Sequence, residues 1–199
     1  MIRGDSKALR FWEERYQTDR IPWDRSGISP AMTQWLDSAD LQPCRIVIPG
    51  CGYGYEVAEL ARRGFDVTAI DFAPSAVAAV KKDLEKSKLR AWVIEADILK
   101  WNPEQPFDAI YEQTCLCALP PKLWKRYSER LDRWLKPAGK LFALFMQTHE
   151  PGGPPYHCDL NEMHTLFPDD QWTWPDGPLL KVPHPVGFYE LAGVIVKKS

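Results

Sequence analysis

The run Pro49-Gly50-Cys51-Gly52-Tyr53-Gly54-Tyr55 has the residue types and spacing of a nucleotide cradle. It lies between an apolar stretch, Arg45 to Pro49, and a helical pattern, Glu56 to Arg63, whose Val57, Leu60 and Ala61 share one face and whose end is marked by Gly64. A glycine turn between strand and helix lets backbone approach a ligand closely and points the first helical N–H groups at its oxygens. About 20 residues further on, the next strand, Phe65 to Asp71, ends in a carboxylate, where Rossmann-type folds hold a ribose by its hydroxyls. Asp71 could also cap the helix that follows, but its place at the strand end favours the ribose. A dinucleotide loop carries a small third residue, three positions after its second glycine, for helix packing around pyrophosphate. Here that position is Tyr55. The spacing therefore argues against NAD or FAD and for a cofactor with a ribose and no pyrophosphate, which S-adenosylmethionine satisfies.

The elements that must position this turn alternate along the chain. Pro74 suits the first position of a helix that runs to about Lys86. A third strand, Arg90 to Glu95, leads to Ala96-Asp97-Ile98, and a fourth, Phe107 to Tyr111, ends at Glu112-Gln113. A helix over Pro121 to Leu135, a turn at Lys136 to Gly139 and a fifth strand, Leu141 to Gln147, complete the series. Such alternation predicts a parallel, doubly wound α/β sheet. After Thr148 prolines and glycines crowd positions 151–155, a short helix covers Leu160 to Leu166, and the chain ends in the apolar run Tyr189 to Val196. With no helix between the Trp172 region and that run, a closing antiparallel hairpin is expected.

Composition narrows the function classes. A chain of 199 residues without linker, charge block or repeat reads as one domain. No apolar stretch reaches membrane-spanning length, and Met1 to Arg10 lacks the apolar segment of a signal peptide; a cytoplasmic protein is expected. Five cysteines at irregular spacings read as reduced thiols. Net charge is −2, without a basic tract, so no nucleic-acid partner is expected. The densest basic group, Lys122 to Lys136, shares its helix with an apolar stripe of Trp124, Tyr127, Leu131 and Trp134, and reads as a solvated face. Cys115 and Cys117 alone cannot close a metal site, and the four histidines lack ligand spacing, so no metal is assigned.

Further motifs carry a resemblance: Phe11-Trp12-Glu13-Glu14-Arg15-Tyr16, Pro22-Trp23-Asp24, Pro49-Gly50-Cys51-Gly52, Glu112 followed by Cys117-Ala118-Leu119, and Gly152-Gly153-Pro154-Pro155-Tyr156. With these the chain resembles the thiopurine methyltransferase family, nearest its plant-type halide, thiocyanate and thiol methyltransferases. The resemblance implies a class I S-adenosylmethionine-dependent methyltransferase: a seven-stranded, mostly parallel, doubly wound α/β sheet with an antiparallel C-terminal strand. It further implies a single domain over 1–199, with an aromatic lid segment at 1–35 and a Rossmann-like core at 43–199. The cofactor would be S-adenosylmethionine, leaving S-adenosylhomocysteine. By the same resemblance Trp12, Tyr16 and Trp23 line the cofactor and substrate pocket, Gly50 and Gly52 approach the cofactor, Asp71 and Phe72 meet its ribose side, Asp97 and Ile98 flank adenine, and Glu112 and Gln113 face the methionyl part. Tyr16, Trp23 and Tyr156 are the positioning candidates. The implied partner is a small molecule, with neither nucleic acid nor membrane, and the implied assembly is a monomer or weak homodimer. Tyr16, Gln113 and the pair Cys115-Leu116 depart from the plant-type pattern on the acceptor side, which bears on acceptor identity more than on reaction type.

Methyl transfer from a sulfonium is an in-line displacement whose electrophile arrives activated. The protein must align nucleophile, methyl and sulfur and exclude water, and positioning of this kind supplies about 7 to 11 kcal/mol. A thiol of pKa near 8.5 has a thiolate fraction at neutral pH, so a strong general base is optional. An aromatic cage would hold the sulfonium by cation–π attraction. Three other readings compete. A Pro-Pro-Tyr amino-methyltransferase would carry that motif after strand four, where this chain has Glu112-Gln113-Thr114-Cys115. The others are a non-catalytic S-adenosylmethionine sensor and an NAD-dependent oxidoreductase.

Overall fold

Helix α1, Ser6–Gln17, carries the Phe-Trp-Glu-Glu-Arg-Tyr motif, so Trp12 and Tyr16 stand one turn apart on one side. A computed structural model describes residues 6–199, and the first five residues of the expected lid segment lie outside the described residues. Helix α2, Pro30–Asp37, starts where Ser29 serves as N-cap and Pro30 takes the first turn, and it buries Ala31, Met32 and Trp35. Strand β1, Arg45–Pro49, has the predicted bounds and is followed by helix α3, Tyr55–Arg62. Strand β2 is Asp66–Asp71, helix α4 is Pro74–Ser87 and strand β3 is Trp92–Glu95. These elements make up a first compact unit, which ends at Asn102. Its strands pair in parallel in the order β3, β2, β1. Ile46, Val47, Val67 and Ile70 from the strands are almost wholly buried, as are Val57 and Leu60 of α3 and Val80 of α4. Near-continuous apolar runs of this kind are what parallel strands covered on both faces require.

The second unit, Pro103–Ser199, begins with strand β4, Phe107–Gln113. The helix read from Pro121 is 3₁₀ over Pro121–Leu123 and becomes α-helical only at α5, Trp124–Trp134. Adjacent prolines cannot donate to a preceding turn, and the Trp124 indole instead donates to the carbonyls of Leu116 and Leu119, both at 2.9 Å. Strand β5, Leu135–Gln147, starts earlier than read. The expected turn at Lys136 to Gly139 is absorbed as an irregularity: β5 pairs Leu135 with Phe107, then Lys140 with Ala109, and Ala138 takes φ 61. Helix α6, Leu160–Leu166, matches its reading, with Asp159 as N-cap. Strands β6, Trp172–Thr173, β7, Leu180–Pro183, and β8, Tyr189–Lys197, follow. β4 and β5 run parallel, whereas β8 is antiparallel to β5 and takes β6 and β7 as antiparallel partners. The expected closing hairpin is β7–β8. No helix among the described residues is long and apolar enough to cross a membrane.

Candidate functional site

In the first unit the glycine turn has the predicted geometry. Gly50, Gly52 and Gly54 take φ of 62, 54 and 72, a left-handed series that side-chain-bearing residues seldom adopt. Gly52 N–H donates to Asp71 Oδ2 at 2.9 Å, and Ala73 N–H to Oδ1 at 2.9 Å. Asp71 thus fastens the turn after β1 to the start of α4. It is 7 % exposed. Burial pushes its carboxyl above the usual range, against the pull of the amides of Ala73, Gly52 and Phe72. A carboxylate has about four acceptor positions, so these amides do not saturate it, and the residue fits a ribose. The Ala96 amide donates to the Asp71 carbonyl at 2.9 Å, which places Asp97 and Ile98 at the neighbouring strand end. Asp97 is itself held by Leu99 N–H, which donates to its Oδ1 at 2.9 Å.

The aromatic segment lies on this turn. Trp12 and Trp23 meet edge to face at 5.4 Å between ring centroids, Tyr16 and Trp23 at 6.1 Å, and Tyr16 and Tyr53 of the glycine turn at 5.4 Å. A Cβ on Gly52 would stand 3.2 Å from the Tyr16 hydroxyl. Burial above all, with Asp71 and Cys51 nearby, holds the Tyr16 phenol far above its ordinary value, so it is a neutral donor. Trp12, Tyr16, Trp23, Gly52 and Asp71 are therefore brought together.

What fastens this segment is less visible in the sequence. Glu13 Oε2 accepts from Ser75 N–H at 3.0 Å and its Oε1 from the Ser75 hydroxyl at 2.5 Å. Burial pushes the Glu13 carboxyl up, but the Ser75 and Gln17 bonds outweigh it and hold the group ionised below its usual range. Ala73, at the N-cap of α4, offers no side-chain acceptor, so Glu13 supplies an anion to that helix N-terminus. Asp24 accepts from the Tyr55 hydroxyl at 3.3 Å, and Glu56 from Ser29 N–H at 3.1 Å. Tyr55, read as too bulky for a pyrophosphate loop, is also the anchor of the Pro22-Trp23-Asp24 stretch.

The second unit carries Glu112, Gln113 and Tyr156. Glu112 is 2 % exposed, accepts from Leu116 N–H at 2.6 Å through Oε1, and among the described residues has no hydrogen-bond partner for Oε2. Gln113 accepts from the Tyr111 hydroxyl at 2.7 Å and donates to Glu190 Oε2 at 3.3 Å. Tyr156 N–H donates to the Cys117 carbonyl at 2.7 Å, tying the Gly-Pro-Pro-Tyr loop to the turn after β4. Among the described residues no three His, Cys, Asp or Glu side chains converge as a metal site.

Burial pushes the Glu112 carboxyl up to about 8; the Leu116 amide opposes this, Glu190 adds to it and the Cys115 amide opposes it. The folded chain therefore holds that proton more tightly than the unfolded one, whose value is near 4.5. The contribution to stability is complete below that value and is lost as pH rises through about 8. Glu112→Gln, neutral at every pH, is expected to gain on the unsubstituted chain by of order 1 kcal/mol or more as pH is raised across that interval. Urea unfolding at an acidic, a neutral and an alkaline pH measures this, and a difference that stays constant with pH contradicts it.

Known proteins share sequence and fold with this chain. A family model described as thiopurine S-methyltransferase matches residues 7–174. A probable thiol methyltransferase 2 of Arabidopsis thaliana is 31 % identical over 160 residues, covering 78 % of this chain and 70 % of the relative. Thiocyanate methyltransferase 1 of the same plant is 29 % identical over 159 residues, with coverage of 78 % and 70 %. A thiopurine S-methyltransferase of Legionella pneumophila is 26 % identical over 176 residues, with coverage of 79 % and 80 %. Among solved structures, the 1,6-didemethyltoxoflavin-N1-methyltransferase of Burkholderia thailandensis superposes with a TM-score of 0.77 at 21 % identity, covering 98 % and 89 % of the two chains. The magnesium protoporphyrin IX methyltransferase of Synechocystis gives 0.74 at 14 %, covering 99 % and 100 %. At such identities the structures speak for the fold, which is the class I methyltransferase fold that the resemblance implies.

Proposed function

The chain belongs to the thiopurine S-methyltransferase family, and from that premise we propose that it methylates the sulfur of a small soft nucleophile, a thiol, sulfide or thiocyanate, with S-adenosylmethionine as donor. The observation that carries this reading is the closure of the Asp71-bound glycine turn by Tyr16, Trp12 and Trp23. Bound there, S-adenosylmethionine supplies a methyl group already activated on a sulfonium. The remaining work belongs to this chain. Asp71 accepts the ribose hydroxyls with Phe72 on the same side, Gly50 and Gly52 let the backbone approach, and Asp97 and Ile98 flank the adenine. Trp12, Tyr16 and Trp23 turn aromatic faces and edges toward the cation and keep water away. Glu112 and Gln113 serve the methionyl part, and Tyr156 positions the acceptor.

Net charge of −2 without a basic tract supports a small-molecule substrate rather than nucleic acid, and five free thiols support residence in the cytoplasm. We take the working form to be a monomer or weak homodimer. The test is turnover with methyl-labelled cofactor and a panel of sulfide, methanethiol, thiocyanate, iodide and an aromatic thiol. Labelled S-methyl product together with S-adenosylhomocysteine is the expected result. Cofactor binding without turnover on any acceptor would overturn the reading in favour of a sensor.

A further inference from the structure

Three strand ends of the second unit converge on Tyr189. It pairs with Gln147 at the end of β5 and with Pro183 at the end of β7. Lys181, two residues before Pro183, is its diagonal neighbour on β7 and places Nζ 3.9 Å from the Tyr189 ring centroid. Two residues beyond β5, His149 adopts φ 54, a left-handed conformation uncommon for a residue with a side chain. Its Nε2 lies 2.8 Å from the Tyr189 hydroxyl, and its ring is exposed.

The backbone at the same residue arranges a second imidazole. His149 N–H donates to His157 Nδ1 at 3.3 Å, and the two rings stand 4.6 Å apart between centroids. Because Nδ1 of His157 is an acceptor, its neutral form carries the proton on Nε2. Burial, and then His149 itself, hold the His157 pKa below the ordinary value, with Asp159 pulling the other way. His157 is thus neutral at neutral pH and does not repel a proton arriving on His149. The ionisable groups that face His149 are Tyr189 and His157; Lys181 faces Tyr189 from β7, and Asp159 faces His157.

We propose that Tyr189 and His149 form a proton-accepting dyad for a thiol substrate, an inference that rests on the S-methyl-transfer reading. The thiol S–H bond breaks and its proton passes to the Tyr189 oxygen as the phenolic proton moves to His149 Nε2. The resulting imidazolium, exposed at the surface, returns a proton to water. The sulfur lone pair so released forms the new S–CH₃ bond while the methyl–sulfonium bond breaks and leaves its electron pair on the donor sulfur. None of these steps is needed for an acceptor that is already an anion.

That difference supplies the test. Tyr189→Phe removes only the hydroxyl, and His149→Asn removes the imidazole while keeping a residue that tolerates left-handed backbone. With ethanethiol at neutral pH each variant is expected to lose about 100-fold in kcat/KM, at the lower end of what a positioned base contributes. With pentafluorothiophenol, ionised at that pH, the loss stays within about threefold, and with ethanethiol it shrinks as pH is raised past the thiol's own pKa. A second readout needs no turnover: in the presence of S-adenosylhomocysteine, the unsubstituted protein raises the ultraviolet thiolate band of added thiophenol below its solution pKa, and the variants do not. Equal losses on both acceptors, or an unchanged ethanethiol rate, overturn the dyad alone. An unsubstituted protein inert on every acceptor overturns the methyl-transfer reading and the dyad with it.

Discussion

Asp71→Ala is expected to weaken S-adenosylhomocysteine binding by 100-fold or more. Two ribose hydroxyls donating to a carboxylate are charge-assisted bonds of about 1.5 to 3 kcal/mol each, and every 1.4 kcal/mol is about tenfold in affinity. The same substitution removes the acceptor for the amides of Gly52 and Ala73, so the turn loosens as well. Asp71→Asn keeps one acceptor oxygen and should fall between the two. Titration calorimetry gives the affinity and urea unfolding the stability. A loss of affinity no greater than the loss of stability would mean that Asp71 is only a fastener of the turn.

The second large effect concerns charge. Trp12→Ala and Trp23→Ala are expected to lower S-adenosylmethionine affinity by about 30-fold, the equivalent of one desolvated cation–π contact of about 2 kcal/mol. S-adenosylhomocysteine, whose sulfur carries no charge, should lose several-fold less. That split separates a sulfonium cage from plain packing. Trp23→Ala should be the more damaging for turnover, because Trp23 also hydrogen-bonds the Tyr16 phenol that lies over Gly52. Variants that keep both affinities and full turnover would remove the aromatic segment from the mechanism.

Local patterns were legible and distant pairings were not. The strand Arg45–Pro49 and the helix Leu160–Leu166 were legible from a few residues each, an apolar run before glycine and a short segment beyond the proline- and glycine-rich stretch. The Asp71 position follows from the same locality, since strand, glycine turn and strand end fall within one stretch. The anchoring of the aromatic segment does not, because Glu13 finds Ser75, Asp24 finds Tyr55 and Ser29 finds Glu56 across 62, 31 and 27 residues. Glu13 stood inside a motif already singled out; only its partner was missing. Tyr55 was read by its bulk alone, and its hydroxyl bond requires the fold. Helix α5 begins three residues later than its pattern suggests, because the segment at Pro121–Leu123 closes as a 3₁₀ turn, where adjacent prolines have no N–H to give. His149 and Tyr189, 40 residues apart, become neighbours only when β5 and β8 pair.

The most direct measurement is a crystal structure with S-adenosylhomocysteine, read as the distance from its ribose oxygens to the Asp71 carboxylate. Both hydroxyls are predicted within hydrogen-bond range, about 2.5 to 3.0 Å, with the indoles of Trp12 and Trp23 over the sulfur. A ligand whose ribose lies away from Asp71, or protein that takes up no S-adenosylhomocysteine at millimolar concentration, would contradict the account.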